Sequence, residues 1–156
     1  MPRGGQEPEF IDFKPDDRAA LLARMDQLVE TRKGWINLSP ALDEDEEPPP
    51  RSGTFGLFSG RGPDVPLCTW FPGPPTEIGI QHGAGPKVVD ALRNLGQPVP
   101  EGWRVTQDHS RRGLVVLVPD RTPNERVLDW LLGAGTALAS HLKLATWWRA
   151  AIYAAR

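Results

Sequence analysis

A chain of 156 residues with 18 basic and 20 acidic side chains carries a net charge of −2, so it has no overall field to recruit nucleic acid or an anionic membrane. It is long enough to bury roughly 70% of its unfolded surface around one core. Its single cysteine, Cys68, excludes an intrachain disulfide and a cysteine-based zinc knuckle. A cytoplasmic location is expected, because Met1 to Glu9 has no apolar run of the secretory kind.

Residues 1–14 read as a flexible N-terminal tail. From Pro15-Asp16-Asp17, an acidic start, Leu21, Met25, Leu28 and Val29 trace one apolar face as far as Gly34, which predicts the first helix. Trp35 to Leu38 reads as a short strand. Asp43 to Glu47 is acidic and runs into Pro48, Pro49 and Pro50. Like charges repel and prolines favour extended geometry, so residues 40–52 are expected to be a mobile loop. Three strands follow, Thr54–Ser59, Val65–Phe71 and Glu77–Gln81, joined by short glycine- and proline-bearing turns that suit antiparallel neighbours.

Pro86 suits a first helical position, and Val88, Ala91, Leu92 and Leu95 recur at helical spacing until Gly96 and Pro98. Trp103–Gln107 then alternates as a strand, and Leu114–Val118 is a continuous apolar strand. Thr122-Pro123-Asn124-Glu125 has the form of a capping box with proline at the first helical position. In 136–156, Leu138, Leu142, Ala145, Trp148 and Ile152 form a stripe, with Leu144, Trp147 and Ala151 on its flank. This predicts a long C-terminal helical extension, bent or straight at Gly133-Ala134-Gly135. No stretch is apolar enough to span a membrane.

The sum is a single α+β domain over 15–135, with a five-stranded antiparallel sheet covered by helices in the order α-β-β-β-α-β-β-α, then the helical extension over 136–156.

Two sets of residues carry candidate functions. The broad apolar surface of the extension, with Leu144, Trp147, Trp148 and Ile152, either folds back on its own sheet or meets a protein partner or a second copy. The glycine loop Gln81–Lys87 feeds a helix start, where free backbone N–H groups favour an anion. His82, Gly83, Gly85 and Lys87, joined by Arg111 and Arg112 of the following ribbon, form a possible anion or nucleotide site. The motif is a weak one: Pro86 removes one donor, and the ordinary use of these glycines is to turn a strand into a helix.

Catalysis finds no constellation. Asp108-His109-Ser110 are neighbours on a turn and do not build a triad, Cys68 lies in a strand beside Trp70 as a small hydrophobe, and the three histidines have no ligand spacing. The expectation is no catalytic residue, no cofactor and no metal. The six tryptophans, Trp35 among them, are assigned mainly to the core.

The order of elements from residue 15 to about 140 resembles the type III secretion chaperone fold, including its relatives in the YbjN group. That resemblance implies a non-catalytic, usually homodimeric domain that binds an extended peptide or partner segment across its sheet and helices. The acidic proline insertion at 43–50 and the aromatic C-terminal segment depart from that pattern.

Overall fold

The computed structural model describes residues 7–46 and 62–154. In chain order the elements are β1 (Glu9–Phe13), α1 (Ala19–Thr31), β2 (Trp35–Leu42), β3 (Leu67–Phe71), β4 (Thr76–Gln81), α2 (Val88–Asn94), β5 (Arg104–His109), β6 (Gly113–Val118), α3 (Asn124–Leu138) and β7 (Leu144–Tyr153). Among the described residues the strands form one seven-stranded sheet, ordered β1-β7-β2-β3-β4-β6-β5, with every neighbouring pair antiparallel.

This overturns two expectations: the sheet is not five-stranded, and the long C-terminal helical segment does not exist. Residues 144–153 are an interior strand, second from one edge of the sheet, between β1 and β2. The three alanines of this segment favour a helix, but Trp147, Trp148, Ile152 and Tyr153 favour a pleated surface, and pairing on both sides decides the outcome. Along β7, Trp148, Ala150 and Ile152 point inward, and Trp147, Arg149 and Ala151 point outward. Its partner β1 comes from the expected tail, and β2 extends through Leu42, into the expected loop. The expected strand at 54–59 and residues 47–52 of the expected loop at 40–52 lie outside the described residues.

Helix boundaries also move. The α1 helix begins at Ala19, after a turn closed by the Asp17 N–H donating to the Lys14 carbonyl at 2.9 Å. Ahead of α3, the Thr122 hydroxyl does not cap the helix. It donates back to the Pro119 carbonyl at 2.7 Å, leaving Pro123 at the cap position. The α3 helix runs unbroken through Gly133 and Gly135, so these glycines serve packing. A Cβ on Gly135 would sit 2.6 Å from Trp148 Cη2 and 3.3 Å from Cys68 Sγ, and Gly133 lies against the Gln97 side chain.

The helices supply inward faces to a single side of the sheet. Leu21, Met25 and Leu28 of α1, Val88 and Leu92 of α2, and Leu128, Leu131 and Ala134 of α3 are buried together with Ile36, Leu38, Trp70, Ile78, Ile80, Leu114, Val116, Trp148 and Ile152 of the strands. Each large aliphatic or aromatic side chain so placed contributes about 1.5–3 kcal/mol relative to exposure. No helix of the described residues is long and apolar enough to cross a membrane.

Candidate docking face

Residues alternate between the two sides of a strand, so the register that buries Ile36 and Leu38 turns Trp35, Asn37 and Ser39 to the other side. No helix among the described residues covers that side. Its cross-strand rows follow from the pairing. One reads Phe10, Ala151, Asn37, Thr69, Gly79, Val115 and Gln107, across the whole sheet. The next reads Tyr153, Trp35, Phe71, Glu77, Leu117 and Arg104. The first row has small side chains at its centre and the second is aromatic at one end. The result is a shallow floor of Ala151, Asn37, Thr69 and Gly79 beside a raised ladder.

The ladder is a continuous stack. Trp35 lies parallel to Tyr153, with ring centroids 4.9 Å apart and a 12° interplanar angle, and Phe71 tilts against its other side at 6.4 Å. Stacking of this kind is worth roughly 0.5–1.5 kcal/mol per pair beyond area burial, yet Trp35 and Phe71 remain 37% and 40% exposed. On the far side of the floor, Arg149 donates to both Asp12 oxygens at 2.8 and 3.1 Å. Its guanidinium also lies 5.4 Å from the Phe10 ring and 5.7 Å from the Trp147 ring. The hydrogen bond and charge of Arg149 hold the Asp12 carboxyl below its ordinary range, and Asp12 raises Arg149 in return. Phe10 is 59% exposed, the largest value among the exposed large hydrophobic residues. A surface that leaves Phe10, Trp35 and Phe71 in water on one contiguous side is a binding-site signature rather than scattered exposure.

The sequence-derived partner residues are divided by this geometry. Trp147 is on the open side, half-buried against Arg149. Trp148 and Ile152 are inside the protein's own core, correcting their assignment to an outward apolar stripe, and Leu144 is half-buried at the start of β7. Trp35, assigned to the core, belongs to the surface. The residues missed altogether are Phe10, Phe71, Arg149 and Tyr153. Arg149 and Tyr153 were signalled only by the period-two alternation within 144–153 and Phe71 only by its place at the end of an alternating strand, while nothing local marked Phe10.

The expected anion-site residues fall on the α2 start and on the β5–β6 turn, and at the α2 start the protein supplies its own anion. The Asp108 carboxylate of β5 accepts the Val88 and Val89 N–H groups at 3.0 and 3.2 Å, occupying the first donors of α2. His82 is 1% exposed, and its Nδ1 accepts the Ala84 N–H at 3.1 Å. Burial pushes the His82 imidazole below its ordinary range, and the nearby Asp108 charge opposes that shift in part. Gly83 is half-buried, Gly85 adopts φ +87°, and Lys87, exposed at φ 61°, precedes the helix. Arg111 and Arg112 are exposed, and their N–H groups donate to His109 Nδ1 at 3.1 and 3.0 Å. The loop is thus a structural turn pinned by Asp108.

A second concavity, about 460 Å³, lies on the helical side between Pro15, Leu95, Gln97 and Leu132. Its cation, Arg18, is bound to Asp129 and lies 3.5 Å from Glu125. These polar groups satisfy one another, whereas the rings of the open face have no such partner, so the face is the stronger candidate. Cys68 is buried, its thiol pushed up to about 12 by desolvation and donating weakly to the Leu131 carbonyl at 3.9 Å. Among the described residues no cluster of His, Cys, Asp and Glu could hold a metal ion. No protein-family model matches the chain, and neither a curated protein nor a solved structure is significantly similar to it.

Proposed function

We propose that this chain is a non-catalytic protein- or peptide-binding module, chaperone- or adaptor-like in action, that docks its partner on the helix-free side of the sheet. The observation that carries the reading is the aromatic ladder Tyr153-Trp35-Phe71, whose Trp35 and Phe71 rings are left in water on a support of paired interior strands. Aromatic side chains on a rigid support lose little conformational entropy on binding and are the usual anchors of protein recognition. A small-anion function at Gln81–Lys87 has less support, because Asp108 already accepts the donors such a ligand would use.

The test places a photo-reactive phenylalanine analogue at Phe71 on the open face and, separately, at Leu95 on the helical side, with crosslinking in the native cell. A heterologous protein adduct from position 71 and none from position 95 is expected. Adducts from position 95 alone, or no adduct from either, would refute the reading. An adduct of twice the chain's mass from position 71 would mean that a second copy covers the face.

A further inference from the structure

The kind of partner is limited by what the open face lacks, an inference that rests on the docking reading above. The ladder stands on β7, β2 and β3, interior strands whose backbone groups are paired on both sides. An incoming β-strand therefore finds no free edge there and gains no main-chain ladder. Recognition must come from side chains alone: ring faces for apolar contact, and the few donors beside them. Trp35 Nε1–H has no acceptor among the described residues. Thr69 donates to Asn37 Oδ1 at 2.9 Å, which leaves the Asn37 amide N–H groups without an acceptor among the described residues.

The ligand class that matches rings plus isolated donors is a polyproline II segment. It makes no internal hydrogen bonds, presents bare carbonyls, and is already extended before it binds. It repeats every three residues at 3.1 Å per residue, so equivalent prolines lie roughly 9 Å apart. The outer rings stand on β7 and β3, two strand spacings or about 9.5 Å apart, which is the same scale, one ring at each end for successive equivalent prolines. Charge adds direction. Glu77 pairs across from Phe71 at that end of the ladder and forms no ion pair among the described residues, while Arg104 is two strands further on. The Arg149 guanidinium, across the floor from the ladder, is already neutralised by Asp12. Single-stranded nucleic acid also stacks on rings but needs a positive track for its phosphates, which Glu77 and a neutralised Arg149 do not provide.

We propose that the Tyr153-Trp35-Phe71 ladder binds a proline-rich segment in the polyproline II conformation, with a basic residue of that segment at Glu77.

The test is a calorimetric titration of the full chain with a decaproline peptide ending in Arg-Arg, with decaproline lacking the arginines, and with oligothymidylate. The chain's own Pro48, Pro49 and Pro50 are replaced by serine to remove competition. Binding of the arginine-tailed peptide is expected, weakened at least about tenfold by Trp35→Ala and, independently, by Phe71→Ala, each variant still unfolding cooperatively and fully folded at the titration temperature. Glu77→Lys should abolish the preference for the arginine tail while leaving plain decaproline binding in place. No peptide binding, binding indifferent to both ladder variants, or binding of oligothymidylate in place of the peptide would overturn the proposal. If the peptides fail while position 71 still crosslinks to a protein, the polyproline inference falls and the docking face stands.

Discussion

Replacing Gly135 and Gly133 by alanine, one at a time, tests the packing of β7 against α3 with an internal control. Both glycines are interior to the same helix, so each substitution carries the same intrinsic gain of about 1 kcal/mol from helix propensity. Their surroundings differ. At Gly135 the new methyl would meet the tip of the buried Trp148 indole at 2.6 Å and Cys68 Sγ at 3.3 Å. At Gly133 it would meet only the end of the Gln97 side chain, at 2.6 Å from Oε1, which can swing aside. Overpacking against a fixed ring costs about 1–3 kcal/mol, and propensity cancels in the comparison. Gly135→Ala should therefore be less stable than Gly133→Ala by about 1–3 kcal/mol, and Gly133→Ala should equal or exceed the parent. Urea unfolding followed by circular dichroism measures both, and in thermal melts each kcal/mol corresponds to about 2–4 °C. A Trp148→Phe background should relieve most of the Gly135→Ala cost, because the two sites are coupled through contact. Equal stability of the two alanine variants, within about 0.5 kcal/mol, would mean that β7 does not lie beneath α3.

Three further outcomes follow from individual contacts. Asp108→Ala should destabilise the fold by about 1–2 kcal/mol by stripping two acceptors from the α2 start, with Asp108→Asn retaining part of that stability; chemical denaturation gives both values. His82 folds as the neutral imidazole with its pKa depressed, so the unfolded chain takes up the proton first. The unfolding midpoint should fall as pH drops below the ordinary value of 6.5 and level off once the depressed value is passed, and His82→Asn should remove that slope. Cys68, with its thiol raised to about 12 and no exposure, should react with a thiol reagent at pH 8 only as fast as the chain opens, and far faster in denaturant.

The helices were legible because their signals are local. Leu21, Met25 and Leu28 lie one turn apart, as do Val88 and Leu92, and Gly34 and Gly96 punctuate their ends. The strands β3, β4, β5 and β6 were legible for a similar reason, being period-two or continuous apolar runs between turn residues. The two strands misread lie at β1 and β7, far apart in sequence, and they exist because they pair with each other and with β2. Leu138, Leu142, Ala145, Trp148 and Ile152 fit a helical stripe, but only the four-residue step from Trp148 to Ile152 also satisfies the period of two that the strand uses, and pairing with β1 and β2 overrides the rest. The docking face was hidden by the same error. Once 144–153 is taken as helix, Tyr153 and Arg149 lose their places beside Trp35 and Asp12, and the ladder cannot be assembled from sequence. Asp108 was visible, but its reach to the α2 start depends on the return of the β5–β6 ribbon across the sheet.

A docking face requires one side of the sheet to be open to water, and the six tryptophan indoles report on it. With the indole N–H groups labelled by nitrogen-15 and a soluble paramagnetic agent added, Trp35 and Trp147 should broaden first. Trp70, Trp103, Trp130 and Trp148, all buried, should persist, Trp130 being further held by its hydrogen bond to the Pro98 carbonyl at 2.9 Å. Protection of Trp35 equal to that of Trp70 would contradict the claim, because a ladder already covered in the free protein has no face to offer a partner.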